Sequence, residues 1–142
     1  TDRNGFTLIE ILVVIAIFGL LFGMGLFLSL DFYRSYLLNT ERDISVGAFE
    51  KARSRALSNM FESSHGVHID YGAYVIFRGD TYIHSDTNNE IIPGNSAVQK
   101  SGLTEVIFNE LTGIPNATGT LVLSDGTRSK IIKINNEGRV DW

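Results

Sequence analysis

The stretch NGFTLIEILVVIAIFGLLFG (residues 4–23) places one carboxylate, Glu10, at the edge of a long run of apolar side chains. No charged residue occurs between Glu10 and Asp31, so 20 consecutive residues, 11–30, are uncharged. A helix of that length rises about 30 Å, the thickness of the hydrocarbon core of a bilayer. A carboxylate at the centre of that core costs about 2.5 to 3.5 kcal/mol. The sequence therefore predicts a membrane-spanning helix whose one acid needs hydration or a partner.

The composition limits what the rest of the chain can be. The chain has 142 residues, 44% of them hydrophobic, and no cysteine. This is enough for one modest globular domain and one membrane segment, and the missing cysteine excludes disulfides, thiolate zinc sites and cysteine nucleophiles. The net charge is −4, and residues 61–142 carry ten acidic against six basic side chains. A general nucleic-acid footprint is therefore not evident.

Beyond Asp31 the hydrophobic pattern becomes amphipathic, and no proline interrupts it. We predict one helix from about Thr7 to about Asn59, with a membrane-spanning first half and an amphipathic second half. The apolar stripe of the second half comprises Leu37, Ile44, Ala48, Phe49, Ala52, Ala56 and Met60. The positions at which the span is most prone to local unwinding are Gly19, Gly23 and Gly25.

From His65 onward the pattern alternates with a period of two, which predicts short β-strands. The predicted strands lie in GVHIDYG, AYVIFRGDTYI, TEVIFNE, GTLVLSDGTRSKIIKI and GRVDW. Asp125 and Gly126 are typical of a hairpin turn, and residues 136–138 of a second turn. Residues 85–102 are polar and contain Pro93, so we predict a loop there. The expected fold class is α+β, with the long amino-terminal helix packed on an antiparallel sheet.

Glu10 has a purely structural explanation. Thr7 and Glu10 match a capping box, in which the two side chains satisfy free N–H groups at the start of a helix. This explanation does not account for the Gly5–Phe6 step, or for an acid at the membrane boundary. We expect the span to be retained, because no cleavage site typical of a secretory signal follows it.

The residues GFTLIE, followed by the apolar span, resemble the class III signal of bacterial type IV pilins and type II secretion pseudopilins. The resemblance implies that a membrane aspartyl peptidase cuts between Gly5 and Phe6 on the cytoplasmic side and methylates the new amino group of Phe6. Residues 1–5 are then the remainder of a leader, and Glu10 lies four residues after the new terminus.

The resemblance also implies a role for Glu10. Cleavage creates an ammonium at Phe6, and methylation keeps its charge. In a bundle of staggered helices, Glu10 of one subunit can pair with the Phe6 ammonium of its neighbour. Leaving one member of a buried ion pair unpaired costs about 3 to 5 kcal/mol, which disfavours the wrong axial register. Glu10 is therefore expected to form an assembly salt bridge.

Two details can be compared with the family pattern. Gly19 matches a glycine that is frequent in these proteins, whereas Phe27 stands where many have a helix-breaking proline. The later sequence resembles the GspH/FimT branch, which carries F-x-x-x-G-x-P, then G-T-[ILV]-x-L, a basic hairpin and G-R-[VI]. The first spacing is one residue longer in this chain. The matching residues are Phe108, Gly113, Pro115, Gly119, Thr120, Leu123, Gly138, Arg139 and Val140.

By this resemblance the chain is a minor pseudopilin or minor pilin with no catalytic task and no cofactor. The expected organisation is a residual leader (1–5), a transmembrane segment (6–30), an amphipathic helical segment (31–60) and a β-rich periplasmic domain (61–142). The chain would cross the bacterial inner membrane once and later be extracted into a filament.

The expected partners are the prepilin peptidase, other pseudopilins or pilins through the helix bundle, and secreted substrates. We favour the H component of a type II secretion pseudopilus. One alternative is a FimT-like minor pilin that acts in pilus assembly or binds DNA for uptake. Another is an unprocessed single-span protein with an enzymatic or ligand-binding domain.

Three histidines raise the hypothesis of a zinc site: His65, His68 and His84. In a strand, positions 65 and 68 point to opposite faces, so we expect no zinc site. Ser64, His65 and Asp70 have the side-chain types of a hydrolase triad, but no nucleophile-elbow motif surrounds the serine. We expect no enzyme activity.

Asp86, Asn88 and Glu90 offer hard oxygen ligands, and major pseudopilins bind calcium in a loop. These residues lack the glycine and spacing of an EF-hand, so we interpret them as a solvated loop and keep calcium as the alternative. Asn116 begins a formal glycosylation sequon, Asn-Ala-Thr, which we interpret as a turn.

The one basic region of the β-rich part contains Arg128, Lys130, Lys133 and Arg139. Some relatives in DNA-uptake pili bind DNA with a basic carboxy-terminal region. Three acids are interleaved in this segment: Asp125, Glu137 and Asp141. We therefore favour a solvated strand face over a DNA site.

Overall fold

The structure, a computed structural model, describes residues 5–142, with the side chains of residues 26–29 left out. Within that range the helix α1 (Leu8–Leu57) is followed by a 3₁₀ turn at Met60–Glu62 and by β-strands. The strands are β1 (His65–Asp70), β2 (Ala73–Arg78), β3 (Glu90–Pro93), β4 (Gln99–Gly102), β5 (Glu105–Phe108), β6 (Gly119–Ser124), β7 (Ser129–Ile134) and β8 (Val140–Asp141). The chain divides into two compact units, Thr1–Ser35 and Tyr36–Trp142.

The start of α1 is capped by Thr7, as the sequence predicts. The Glu10 N–H donates to the Thr7 hydroxyl, 3.3 Å away, and to the Thr7 carbonyl oxygen, 3.1 Å away. The helix then continues without a break through the three glycines at which local unwinding was predicted: Gly19, Gly23 and Gly25.

The end of α1 lies at Leu57, two residues before the predicted end. Asn59 adopts the left-handed conformation with φ 51°, which terminates the helix. Phe61 is also left-handed, with φ 60°, although its side chain is large and 65% exposed. The Arg78 guanidinium lies 5.3 Å from the centre of the Phe61 ring and supports this turn by a cation–π contact.

Two antiparallel sheets are present, where the sequence analysis predicted one. The first sheet has the strand order β3-β2-β1-β5, and the second has the order β4-β6-β7-β8. Strands β3 and β4 lie within residues 85–102, so the prediction of a loop there was wrong. Both are edge strands, and Pro93 pairs with Ala73 at the end of its ladder. An edge position tolerates proline because the missing N–H needs no partner on the open side.

The core of the second unit contains residues of α1 and of both sheets. The predicted helical residues Ala48, Phe49, Ala52 and Ala56 are all 0% exposed. However, Leu38 is buried where Leu37 was predicted, and Met60 is 40% exposed. The predicted stripe was partly wrong because the buried face also contains Glu41 and Ser45, which a search for apolar residues omits.

A smaller buried cluster lies on the other face of the first sheet, where Val75, Phe77 and Ile107 are at most 6% exposed. Gly66 makes room for it, since a Cβ at this position would lie 2.3 Å from Cζ of Phe77. The Tyr82 ring, from the segment after β2, packs with its centre 5.5 Å from that of Phe77. The first sheet is therefore covered on both faces, and the main core lies on the face toward α1.

Candidate processing and assembly site

The Gly5–Phe6 step lies ahead of α1 and is accessible. Phe6 is 80% exposed, and apart from Gly5 and its chain neighbours no described residue has an atom within 4 Å of the position that a Cβ on Gly5 would take. No residue within 5–142 therefore shields this peptide bond from an enzyme that approaches it.

The Glu10 carboxylate is exposed, two residues inside the helix. Its backbone N–H forms the Thr7 half of the capping box. The reciprocal half, a hydrogen bond from the Thr7 N–H to the carboxylate, is not formed, and no side chain that the structure describes pairs with this acid. The capping role thus explains Thr7 but does not give the charged carboxylate of Glu10 a partner.

The helix around Glu10 has the character of a membrane span. Its most apolar window of 18 residues has a mean hydropathy of 2.9, and none of that window is buried. Phe18, Leu21 and Phe22 are 57%, 58% and 72% exposed. Large apolar side chains in such a continuous array need lipid or other helices around them, because soluble monomers rarely expose apolar patches of this extent.

Comparison with known proteins adds a direct match to this end of the chain. A protein-family model described as the prokaryotic N-terminal methylation motif matches residues 1–26. The chain carries a type IV pilin-like processing signal. The match includes Gly5, Phe6 and Glu10, and it supports the type IV pilin and pseudopilin family broadly, with peptidase processing and pilin assembly. No curated protein and no solved structure matches the chain.

The pilin-like signal agrees with the architecture. A long apolar amino-terminal helix and antiparallel sheets packed on a helix form an α+β, type IV pilin-like fold, as the sequence analysis predicted. The signal and the single apolar helix are together consistent with a membrane-anchored pilin-like protein.

A buried polar network in the second unit, formed by Glu41, Tyr74 and Lys100, was not predicted from the sequence. Glu41 is 0% exposed and the side chain of Lys100 is 6% exposed. The Lys100 ammonium lies 3.1 Å from Glu41 Oε1, and the Tyr74 hydroxyl donates to the same oxygen over 2.9 Å. The Asn95 N–H donates to Glu41 Oε2 over 2.7 Å. Both oxygens of the buried carboxylate are therefore satisfied.

This network joins the helix to both sheets, because Tyr74 lies on β2 and Lys100 on β4. Lys100 also donates to the Asp70 carbonyl oxygen and lies 4.1 Å from the centre of the Tyr74 ring. Burial, together with the neighbouring Glu41 carboxylate, raises the pKa of Tyr74 well above its ordinary value. A sequence signal existed: Glu41 occupies a buried-face position between Leu38 and Ser45 at helical spacing.

The three candidate calcium ligands, Asp86, Asn88 and Glu90, have different partners. Asp86 Oδ1 accepts hydrogen bonds from the backbone and side chain of Asn88, and these lower the pKa of Asp86. Glu90 instead pairs with Lys51 and Arg55 of α1, and the Lys51 hydrogen bond is the largest cause of its lowered pKa. A cation at Glu90 would have to displace two positive side chains.

The histidines are likewise separated. His65 is 2% exposed and its Nδ1 contacts the Ser63 carbonyl oxygen, whereas His68 lies on the other face of β1 and pairs with Glu105 at 3.2 Å. Burial lowers the pKa of His65, and nearby Arg55 acts in the same direction. Within residues 5–142 no group of three metal-ligating side chains of the His, Cys, Asp or Glu type is close enough to hold an ion.

His84 and the remaining triad residues have other surroundings. The Tyr82 ring stacks on His68 at 4.1 Å between ring centres, and the Tyr82 hydroxyl contacts His84 Nδ1 at 3.1 Å. His65 and Asp70 begin and end β1, which separates their Cα atoms by about 16 Å along the strand. The structure does not bring Ser64, His65 and Asp70 together as a triad.

The basic region is divided between two faces of the second sheet. Lys130 pairs with Leu123 and so lies on the inner face, whereas Lys133 is exposed on the outer face opposite Asp141. The Arg139 guanidinium pairs with Asp141 at 2.9 Å. Arg128, at the hairpin turn, donates its N–H to Asp125 Oδ1. These four residues therefore do not form one continuous basic surface.

Asn116, the start of the formal sequon, has a structural role. Its Oδ1 accepts the Ile107 N–H at 2.9 Å, and its N–H donates to the Ile107 carbonyl oxygen at 2.8 Å. The side chain therefore covers the free edge of β5, in agreement with its interpretation as part of a turn.

Proposed function

We propose that this chain is a minor pseudopilin, the H component of a type II secretion pseudopilus, which acts as a structural subunit near the filament tip. The observation that carries the proposal is the methylation motif on a helix whose apolar first half is exposed, and whose first acid, Glu10, has no partner among the described side chains. A helix of this kind is incomplete as a monomer and is completed by other copies of the same helix type.

The proposed mechanism is ordered assembly. Cleavage between Gly5 and Phe6 exposes an ammonium, which remains charged after methylation. In the bundle, Glu10 pairs with the Phe6 ammonium of the adjacent subunit. Leaving one charge buried and unpaired costs about 3 to 5 kcal/mol, which is a factor of roughly 10² to 10³·⁵ in the equilibrium constant for adding a subunit out of register. The chain needs no catalytic residue and no cofactor for this role.

The assignment to the GspH/FimT branch, which includes the H component, rests on the carboxy-terminal phrase, the matching residues from Phe108 to Val140. Phe108 is fully buried and forms a β-bridge with Pro115. A Cβ on Gly138 would lie 2.3 Å from the Gly113 carbonyl oxygen, so two glycines of the phrase meet. Arg53 of α1 donates to that carbonyl oxygen at 3.4 Å. Residues that are distant in the phrase, Gly113 and Gly138, thus pack against each other. This packing favours the GspH/FimT assignment over a chance match.

The proposal places the apolar first half of α1 across the bacterial inner membrane and the second unit, which includes the rest of α1, in the periplasm before extraction. Its partners are the prepilin peptidase and the neighbouring pseudopilins. The FimT-like, DNA-binding alternative has no structural observation in its favour, because Lys130 and Lys133 lie on opposite faces and Arg139 is paired with Asp141.

Processing is tested by mass spectrometry of the chain extracted from membranes of cells that contain a prepilin peptidase. We expect a methylated amino terminus at Phe6. An intact Gly5–Phe6 bond under these conditions would count against the proposal, whatever the fold of the second unit.

Assembly is tested with Glu10→Gln, which keeps the shape and removes the charge. We expect normal cleavage but a large loss of incorporation into filaments and of secretion. Glu50→Gln is the matched control, because Glu50 is an exposed acid on the same helix. If Glu10→Gln were incorporated as well as the control, the proposed role of the charge would be wrong.

A further inference from the structure

Four exposed residues follow the uncharged run at the end of the first unit, namely Asp31 and then Phe32, Tyr33 and Arg34. Phe32 is 75% exposed and Tyr33 is 60% exposed. Among the described side chains, those of residues 5–25 and 30–142, none forms a hydrogen bond or an ion pair with Arg34. We call residues 32–34 the boundary segment. Two neighbouring aromatic rings and an unpaired cation are thus presented to the surroundings together.

The axial position of the boundary segment can be worked out from the helix. Tyr33 is three residues past the last uncharged residue, Leu30, which is about 4.5 Å along the axis. The headgroup layer is about 5 to 7 Å thick on each side of the hydrocarbon core. If residues 11–30 fill the core, the Tyr33 ring and the Arg34 guanidinium lie in the headgroup layer.

We propose that the boundary segment binds the lipid headgroup region and sets the depth of α1 in the bilayer. This inference rests on the membrane insertion of the proposed function. Tyrosine and tryptophan rings concentrate at this level, because one part of the ring is apolar and another is hydrated, and Tyr33 has this character. The guanidinium can bind a lipid phosphate through two parallel hydrogen bonds, which gives Arg34 the anionic partner that it lacks among the described side chains.

The depth set in this way has a consequence for Glu10. Glu10 and Tyr33 are 23 residues apart, which corresponds to about 35 Å of helix. With Tyr33 about 4.5 Å beyond one edge of a 30 Å core, Glu10 falls at the opposite edge. The boundary segment thereby holds the acid, and the cleavage site before it, at the surface of the bilayer rather than within the lipid.

Lipid is favoured over a protein partner for two reasons. The boundary segment is continuous with the apolar span, and its unpaired cation complements lipid phosphates. A second protein that covered the rings would shield them from lipid. The following experiment detects whether the rings are in contact with lipid.

The test uses tryptophan fluorescence of the full chain in vesicles of phosphatidylethanolamine and phosphatidylglycerol. The chain has one tryptophan, so Trp142→Phe provides a silent background. Three variants report three levels: Phe18→Trp within the span, Tyr33→Trp in the boundary segment and Tyr71→Trp in the second unit. Tyr71→Trp is the matched control, since Tyr71 is 72% exposed. Quenching is measured with lipids brominated close to the headgroup or deep in the acyl chain.

We expect Phe18→Trp to be quenched mainly by the deep bromines, Tyr33→Trp mainly by the shallow bromines, and Tyr71→Trp by neither. If Phe18→Trp is quenched but Tyr33→Trp behaves like Tyr71→Trp, the inference is overturned while insertion stands. If Phe18→Trp itself is not quenched, the membrane step of the proposed function fails first.

Arg34 is tested separately in the Tyr33→Trp background. Raising the phosphatidylglycerol content should move the emission maximum to shorter wavelength, and Arg34→Gln should abolish that shift. Arg139→Gln, which changes an exposed arginine of the second unit, should leave the shift unchanged. An equal shift in the Arg34→Gln variant would overturn the role given to the guanidinium.

Discussion

Replacing Lys100 by methionine should lower the free energy of unfolding of the second unit by about 3 to 5 kcal/mol. Methionine keeps most of the buried stem and removes the charge that compensates Glu41. The carboxylate would then be fully buried, with the Tyr74 hydroxyl and the Asn95 N–H as its remaining partners. Since domains of this size are stable by about 5 to 15 kcal/mol, this loss is a large fraction of the total.

The assay is urea unfolding of a fragment that spans residues 31–142, followed by far-ultraviolet circular dichroism. We expect this fragment to fold because the core lies within Tyr36–Trp142. With a slope of about 2 kcal/mol per molar urea, Lys100→Met should lower the midpoint by about 2 M. Lys133→Met is the matched control, because Lys133 is exposed on β7, and it should change stability by less than about 0.5 kcal/mol.

A second substitution separates loss of the charge pair from loss of packing. Glu41→Gln in the Lys100→Met background removes the uncompensated charge and should recover part of the lost stability. Two results would refute the reasoning about a coupled buried pair. One is a loss of less than about 1 kcal/mol in the free energy of unfolding for Lys100→Met. The other is a further loss, on adding Glu41→Gln to Lys100→Met, as large as the loss that Glu41→Gln causes alone.

The same fragment tests two further predictions. Burial lowers the pKa of His65 below its ordinary 6.5, so just under that pH the unfolded state binds more protons than the folded state. The neutral, buried His65 therefore contributes its full stability above pH 6.5. This contribution is lost as the pH falls toward the folded-state pKa. Urea midpoints measured across this range should fall toward acid in the parent more steeply than in His65→Gln, and parallel profiles would contradict the assignment. Gly66→Ala should cost about 1 to 3 kcal/mol, since its Cβ would lie 2.3 Å from the buried Phe77 ring. Gly47→Ala, with open space at its Cβ on the exposed helix face, should be neutral or stabilising by up to about 1 kcal/mol, and equal losses in both variants would disprove the steric argument.

Much of the secondary structure was predictable because it depends on local periodicity. The strands β2, β5, β6, β7 and β8 lie within predicted stretches, β1 begins one residue before its stretch, and Thr7 caps the helix as its spacing to Glu10 suggested. The strands β3 and β4 were missed, since QKSG carries no alternation of apolar and polar residues and EIIP ends in a proline. Their backbone pairing is dictated by the neighbouring strands, which a local pattern does not contain.

The sequence by itself determined the amino-terminal end of the candidate site. Twenty uncharged residues, one acid and the Gly5–Phe6 step are contiguous, so their meaning depends on order and hydrophobicity alone. Only the tertiary structure decided which charges meet elsewhere. Glu41 and Lys100 are 59 positions apart in the sequence, and their charges compensate each other in the core. Lys130 and Lys133 are only three positions apart, but they lie on opposite faces of the second sheet. The reason is physical: the energy of a charge depends on its burial and its partner, and both are set by how distant segments pack.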